Sequence, residues 1–83
     1  MKDMNMDIGI ANPTNSALTL NIGNYNNQNL SYRLCDMQGK LLDSKKVIHS
    51  STEIGMQGLP ASTYLLNIVD SESLIKTFRI IKN

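Results

Sequence analysis

The chain has 83 residues, which is enough for one domain. Its formal net charge of +1 gives no electrostatic reason to bind nucleic acid or an anionic membrane. A domain of this size buries roughly 60–65% of its unfolded surface, so its core is modest and leaves little room for a deep catalytic cleft. The single cysteine excludes an internal disulfide, and no apolar run approaches the ~18 residues of a membrane span.

The first seven residues, MKDMNMD, contain no apolar stretch of the kind found in a secretory signal peptide. The chain is therefore either cytosolic or a piece of a longer exported protein. We interpret residues 1–7 as a linker or an expression remnant and assign the domain to residues 8–83.

Apolar and polar residues alternate along most of the domain, which is the pattern of half-buried antiparallel strands. The segment ALTLNIG shows the pattern first, and in LSYRLCD the residues Leu30, Tyr32 and Leu34 share one face. The segment TYLLNIVD has apolar residues on both faces, which predicts a strand covered on both sides. The last predicted strand, SLIKTFRII, places Phe78 and Ile80 on one face, with Arg79 on the other.

Turn-forming residues separate these predicted strands. The segment DMQGK at 36–40 predicts a hairpin, with Gly39 where a positive φ costs little. The segments DSKK at 43–46 and DSES at 70–73 are predicted to be short polar links between strands. Pro60 cannot donate to a β-ladder, so it indicates the entry to a strand or an edge.

No segment has the apolar spacing of a helix over ten residues or more. The frequent turns indicate about seven or eight short strands. The sequence therefore predicts an all-β fold, an antiparallel β-sandwich.

Residues with the chemistry of an active site are few. His49 is the only histidine, and no nucleophile elbow accompanies it, so we interpret it as a solvent-facing strand residue. Cys35 is interpreted as a small packing residue, and no second cysteine offers the spacing of a zinc site. The carboxylates at turns or strand edges are Asp36, Asp43, Glu53, Asp70 and Glu72. We therefore predict no catalytic residue, no metal site and no cofactor.

Three ordered stretches carry a resemblance to a known family. ANPTNSALTLNI is similar to the family's Pro-Asn-Pro opening and first strand, and YRLCDMQGKLL is similar to its central hairpin. MQGLPASTYLLNI followed by KTFRIIKN is similar to its closing pair of strands. Together, over about residues 8–83, they resemble the C-terminal sorting domain (type A) of the type IX secretion system of Bacteroidetes.

Two residues depart from the family pattern. Ala11 stands where the family has the first proline of its opening motif, which leaves the entry to the first strand less rigid. Ser62 stands where the family usually has glycine, so a positive φ at this position would be costly.

The resemblance implies an immunoglobulin-like sandwich of about seven strands, without catalysis, at the end of a larger exported protein. The parent chain would cross the inner membrane, pass through the periplasm and reach the cell surface or the medium. The implied partners are the outer-membrane translocon, a sortase-like surface protease that removes the domain, and the N-terminal cargo of the same polypeptide. No nucleic acid and no membrane insertion are implied.

The resemblance also implies roles for two groups of residues. The residues expected to be recognised by the translocon are Lys76, Thr77, Phe78, Arg79, Ile80, Ile81 and Lys82. The residues expected to hold the sandwich together are Asn12, Pro13, Asp36, Gly39, Leu59, Pro60 and Tyr64. Without the resemblance, the last predicted strand is more simply interpreted as a core strand.

Two alternatives belong to other classes of function. The first is a small β-sandwich module that binds glycan or protein on a bacterial surface protein. It requires exposed aromatic residues, and Tyr25 is the one candidate, because the other aromatic residues are predicted to face inward. The second is a structural domain that dimerises through an unprotected edge strand.

Overall fold

A computed structural model describes residues 7–11, 17–23 and 29–82, and these residues form strands and turns. The strands are β1 (Asp7–Ala11), β2 (Ala17–Gly23), β3 (Leu30–Asp36), β4 (Leu41–Val47), β5 (Ser51–Gly55), β6 (Ser62–Asp70) and β7 (Ser73–Lys82). In the described ranges, no helix is long and apolar enough to cross a membrane.

The strands form two antiparallel sheets. One sheet has the order β1-β2-β5, and the other has the order β4-β3-β6-β7. The chain changes sheet at β2–β3, β4–β5 and β5–β6, as it does in immunoglobulin-like sandwiches. The predicted all-β, immunoglobulin-like antiparallel sandwich is therefore confirmed, and the number of described strands is seven.

The core lies between the two sheets and is apolar. The buried residues are Leu18, Leu20, Ile22, Leu30, Tyr32, Leu34, Val47, Ile54, Met56, Tyr64, Leu66, Ile68, Val69 and Ile80. The alternation predicted for β2, β3 and β6 is confirmed, since every second residue is buried over 18–22, 30–34 and 64–68. On the second face of β6, Val69 is buried beside a bulge, whereas Leu65 is half-buried.

The β3–β4 hairpin is organised by one carboxylate. Oδ1 of Asp36 accepts hydrogen bonds from the backbone N–H groups of Gln38 and Lys40, both at 2.9 Å. The backbone N–H of Gly39 donates to the carbonyl oxygen of Asp36, and Gly39 has a φ of +90°. The predicted hairpin is confirmed, because a side chain other than glycine would be strained at that φ.

The predicted link at 43–46 is wrong. These residues lie inside the continuous strand β4, which pairs with β3 from Leu30 to Cys35. The sequence pattern predicts a turn here because the charged side chains interrupt the apolar alternation. An edge strand tolerates such residues, since its side chains reach solvent and its pairing partner supplies the backbone hydrogen bonds. The hydroxyl of Tyr32 donates to Oδ2 of Asp43 at 3.0 Å, which adds a side-chain link between β3 and β4.

The connection from β5 to β6 contains a tyrosine corner. Near the start of β6, the hydroxyl of buried Tyr64 donates to the carbonyl oxygen of Pro60, four residues upstream. Leu59 is half-buried and packs against the core. Ser62 begins β6 opposite Lys82 and does not have a positive φ, so the strand accommodates serine at this position.

The β6–β7 hairpin has a two-residue turn with unusual backbone angles. Ser71 has a φ of 50° and Glu72 a φ of 77°, so both occupy the left-handed region. The backbone N–H of Ser71 donates to the carbonyl oxygen of Asn29, and Nδ2 of Asn29 donates to Oγ of Ser71, both at 3.1 Å. These bonds fix the predicted polar link at 70–73 against the start of β3.

We expect the free energy of unfolding of the Tyr32→Phe variant to lack the decrease at alkaline pH that the wild type shows. Burial, followed by the hydrogen bond to Asp43, raises the pKa of Tyr32 from 10.0 to about 12. The unfolded phenol ionises first, so the wild type loses stability as the pH rises between these values. At neutral pH the variant is less stable by ~1 kcal/mol, because one hydrogen bond is lost. Urea unfolding across this pH range should show the two stabilities converging, and parallel curves would contradict the assignment.

We expect Glu72→Gly to stabilise the domain by ~0.5–1 kcal/mol, because glycine adopts a positive φ without strain. The measurement is the urea midpoint. Glu72→Ala is the matched control, since it removes the carboxylate but keeps Cβ. An equal gain in both variants would assign the effect to charge and not to the backbone.

Candidate functional site

Strand β7 lies at an edge of the four-stranded sheet, where β6 is its described neighbour. It pairs with β6 from Ser73 to Lys82, and an irregularity near Ile75 interrupts the register. All seven residues expected to be recognised lie on this strand. The alternation of a strand divides them between two faces with different surroundings.

The inward face of β7 belongs to the core. Ile80 is 1% exposed, and Phe78 is half-buried against the same core cluster. The ammonium group of Lys76 lies 5.4 Å from the centre of the Phe78 ring, which is the distance of a cation–π contact. Ile80 and Phe78 therefore hold β7 on the sandwich and leave little of their surface for a partner.

The outward face of β7 carries an exposed row, which consists of Thr77, Arg79 and Ile81. Ile81 is 60% exposed, a large value for an isoleucine in a paired strand. Oγ1 of Thr77 donates to Oδ1 of Asn67 on β6 at 2.8 Å, so this threonine is fixed in position. The exposed row presents a polar, a cationic and an apolar side chain at regular spacing on a folded strand.

Lys82 has partners within the domain. Its ammonium group donates to the carbonyl oxygen of Met56 at 2.9 Å and to that of Leu59. The half-buried side chain therefore ties the end of β7 to the β5–β6 connection. The resemblance implies that the translocon recognises Lys82, whereas the structure directs its ammonium group to two loop carbonyls.

A cleft of about 250 Å³ opens between the β3–β4 hairpin and the start of β6. Its lining residues are Asp36, Leu42, Leu59, Pro60, Ser62 and Tyr64. The lining is mostly apolar, and an oxygen of its single carboxylate already accepts the two hydrogen bonds of the β3–β4 hairpin. In the part of the chain that the structure describes, no cluster of His, Cys, Asp or Glu side chains could hold a metal ion.

The other candidate residues from the sequence lie apart from one another or outside the described ranges. His49 is exposed as expected, but it lies in a bend after β4 and not in a strand, and Cys35 is half-buried on β3. Asn12, Pro13 and Tyr25 lie outside the described residues. Sequence reasoning also missed Asn67, the partner of Thr77, because only the register of β6 and β7 brings the two side chains together.

We expect Lys82→Ala to lower the free energy of unfolding by ~1–2 kcal/mol, because it removes two charge-assisted hydrogen bonds from a half-buried group. Arg79→Ala is the matched control on the same strand. Its side chain is exposed, so the change should stay within about 0.5 kcal/mol. Urea denaturation measures both, and equal losses would mean that the Lys82 bonds contribute nothing specific.

The chain is similar to a known protein family. The family model described as "Secretion system C-terminal sorting domain" matches residues 11–83, which include all of strands β2 to β7. No curated protein matches the chain. The match covers most of the sequence and the resemblance of its three ordered stretches agrees with it. The chain belongs to the family of C-terminal sorting domains of the type IX secretion system.

Proposed function

We propose that this sorting domain carries its export address on β7, in the exposed row of Thr77, Arg79 and Ile81. The domain is a sorting signal of type IX secretion, which directs an attached N-terminal cargo to the cell surface or the medium. The single observation that supports the proposed address is the exposed row on an edge strand. A partner can reach these side chains without any change in the fold.

The exposed row suits recognition of the folded domain. Arg79 supplies a charge that affects the rate and specificity of association more than the affinity. Ile81 supplies apolar surface, and its burial by a partner is favourable at ~25 cal/mol per Å². Phe78, Ile80 and Lys82 act indirectly in this proposal, because they hold the strand in place.

The finer steps of export are also proposals. The outer-membrane translocon recognises the folded domain after it has entered the periplasm, and a sortase-like surface protease then removes it. The domain is not an enzyme, in line with the non-catalytic character of its family. The linker to the cargo, expected at residues 1–7, ends before Asp7, because Asp7 already pairs with Gly23 as the first residue of β1.

The alternative glycan-binding function lacks its main requirement among the described aromatic residues. Tyr32 and Tyr64 are buried, and Phe78 is half-buried beneath Lys76. A glycan platform needs exposed rings that lie side by side. The described part of the molecule therefore favours the sorting function.

An export assay in a Bacteroidetes host with an active type IX system tests the proposed address. A fluorescent reporter with a periplasmic signal is fused to the 83-residue chain. We expect the wild-type fusion to reach the surface or the medium. The double variant Arg79→Ala/Ile81→Ala should reduce export by about tenfold, equivalent to ~1.4 kcal/mol of lost recognition. Point variants are preferred to truncation after Phe78, because truncation also deletes the buried Ile80.

The matched control is Lys45→Ala/Ile48→Ala, which removes an exposed lysine of β4 and an isoleucine that is 63% exposed. This control should be exported like the wild type. Equal export of both double variants would refute the proposed address on β7. Retention of the wild-type fusion in the periplasm, with the host's own substrates exported, would refute the sorting function itself.

A further inference from the structure

The hydrogen-bond pattern of the four-stranded sheet fixes the direction of the backbone groups on β7. In an antiparallel strand, the N–H and C=O of one residue point to the same side, and successive residues alternate. The backbone N–H of Asp36 donates to the carbonyl oxygen of Lys40 on the β4 side of β3. Cys35 and Arg33 therefore direct their backbone groups to β6.

The strand register then gives the direction of the backbone groups on β7, at the edge of the sheet. Cys35 pairs with Leu65 on β6, so the backbone groups of Leu65 point back to β3. Those of its neighbours Leu66 and Tyr64 point to β7, where the partners are Phe78 and Ile80. On β7, the residues between and beside these partners are Thr77, Arg79 and Ile81. Their backbone N–H and C=O groups point away from β6, toward the open edge.

One half of this edge is protected and the other half is open. Near the β6–β7 turn, the irregular register at Ile75 disturbs the strand. Lys76 follows it, with its ammonium group over the Phe78 ring at the rim of the core. A bulge and a charged side chain of this kind discourage pairing with a further strand. Residues 77–82 have no bulge and keep a regular register with β6, and the structure describes no strand beyond them.

The charge of the strand selects among possible occupants of the open edge. From Ser73 to Lys82, β7 has three cationic side chains, Lys76, Arg79 and Lys82, and no acidic one. A second copy of the chain would bring like charges close together, which is unfavourable between paired strands. A strand with acidic side chains would gain from the same arrangement.

We infer that residues 77–82 accept an extended, acidic segment of a partner protein as an additional strand of the four-stranded sheet. This inference rests on the proposed function, in which the partner belongs to the export machinery. Backbone hydrogen bonds to Thr77, Arg79 and Ile81 give affinity, as in other cases of strand addition. An acidic side chain beside Arg79 and an apolar one beside Ile81 give selectivity.

A comparison of Arg79→Pro with Arg79→Ala separates the backbone from the side chain. Both variants lose the guanidinium group, but only proline also removes the outward N–H. An edge strand tolerates proline where the N–H faces solvent, so the pairing with β6 remains. In the fusion assay, we expect Arg79→Pro to be exported about tenfold less than Arg79→Ala. Equal export of the two, with both folded by urea denaturation, would overturn strand addition.

A binding experiment on the unmodified chain does not depend on export or on the folding of a proline variant. The probe is a synthetic peptide of about ten residues, the length of a long strand, in which glutamate alternates with valine. Hydrogen exchange at the amides of Thr77, Arg79 and Ile81 should slow by about tenfold with this peptide. The same peptide with lysine in place of glutamate should have no effect. No slowing with the glutamate peptide would overturn the inference.

The outcomes distinguish a failure of the proposed sorting function from a failure of strand addition at β7. If the wild-type fusion is not exported, the proposed function fails, and hydrogen exchange alone decides whether the edge takes an acidic strand. Sedimentation of the chain without peptide tests the rival occupant. A dimer in which the amides of Thr77, Arg79 and Ile81 are protected would show that a second copy fills the edge, and it would overturn the choice of an acidic partner.

Discussion

The structure depends on the packing of β6 between its two neighbours and over the core. This strand contributes more buried side chains than any other, and it pairs with both β3 and β7. In a domain of this size, the loss of one large buried side chain costs about 2–5 kcal/mol, a sizeable part of the 5–15 kcal/mol that typically holds a protein folded. The inward residues of β7 share this core, so a substitution such as Ile80→Ala would change stability and recognition together. The outward residues allow the two effects to be separated.

Much of the fold follows from local patterns in the sequence. The alternation in β2, β3 and β6 predicts which residues are buried, because one face of each strand packs on the opposite sheet. The hairpin at Asp36 and Gly39 is also predictable, since its carboxylate and its positive φ are properties of a few adjacent residues. Strand β4 is not predictable in the same way. Its charged residues are compatible with a turn, and only their pairing with β3 across the hairpin makes them a strand.

The candidate site is likewise only partly predictable from local patterns in the sequence. The sequence indicates that residues 76–82 matter as a group, but a run of adjacent residues in a strand is not one surface. Sheet order places β7 at an edge, and the alternation of side chains then separates a packing group from an exposed row. Neither the edge position nor the contacts of Lys82 with loop carbonyls can be deduced from local spacing, because both require the positions of β5 and β6.

The contacts of Lys82 have a consequence for the entropy of association. The last residues of a domain usually fluctuate, and a partner that binds them must first order them. Here the ammonium group holds the end of β7 against the segment between Met56 and Leu59. The strand is therefore preorganised along its whole length before any partner arrives. An unfolded chain would contain the same seven residues without their fixed spacing. A partner that requires this spacing therefore binds only the folded domain.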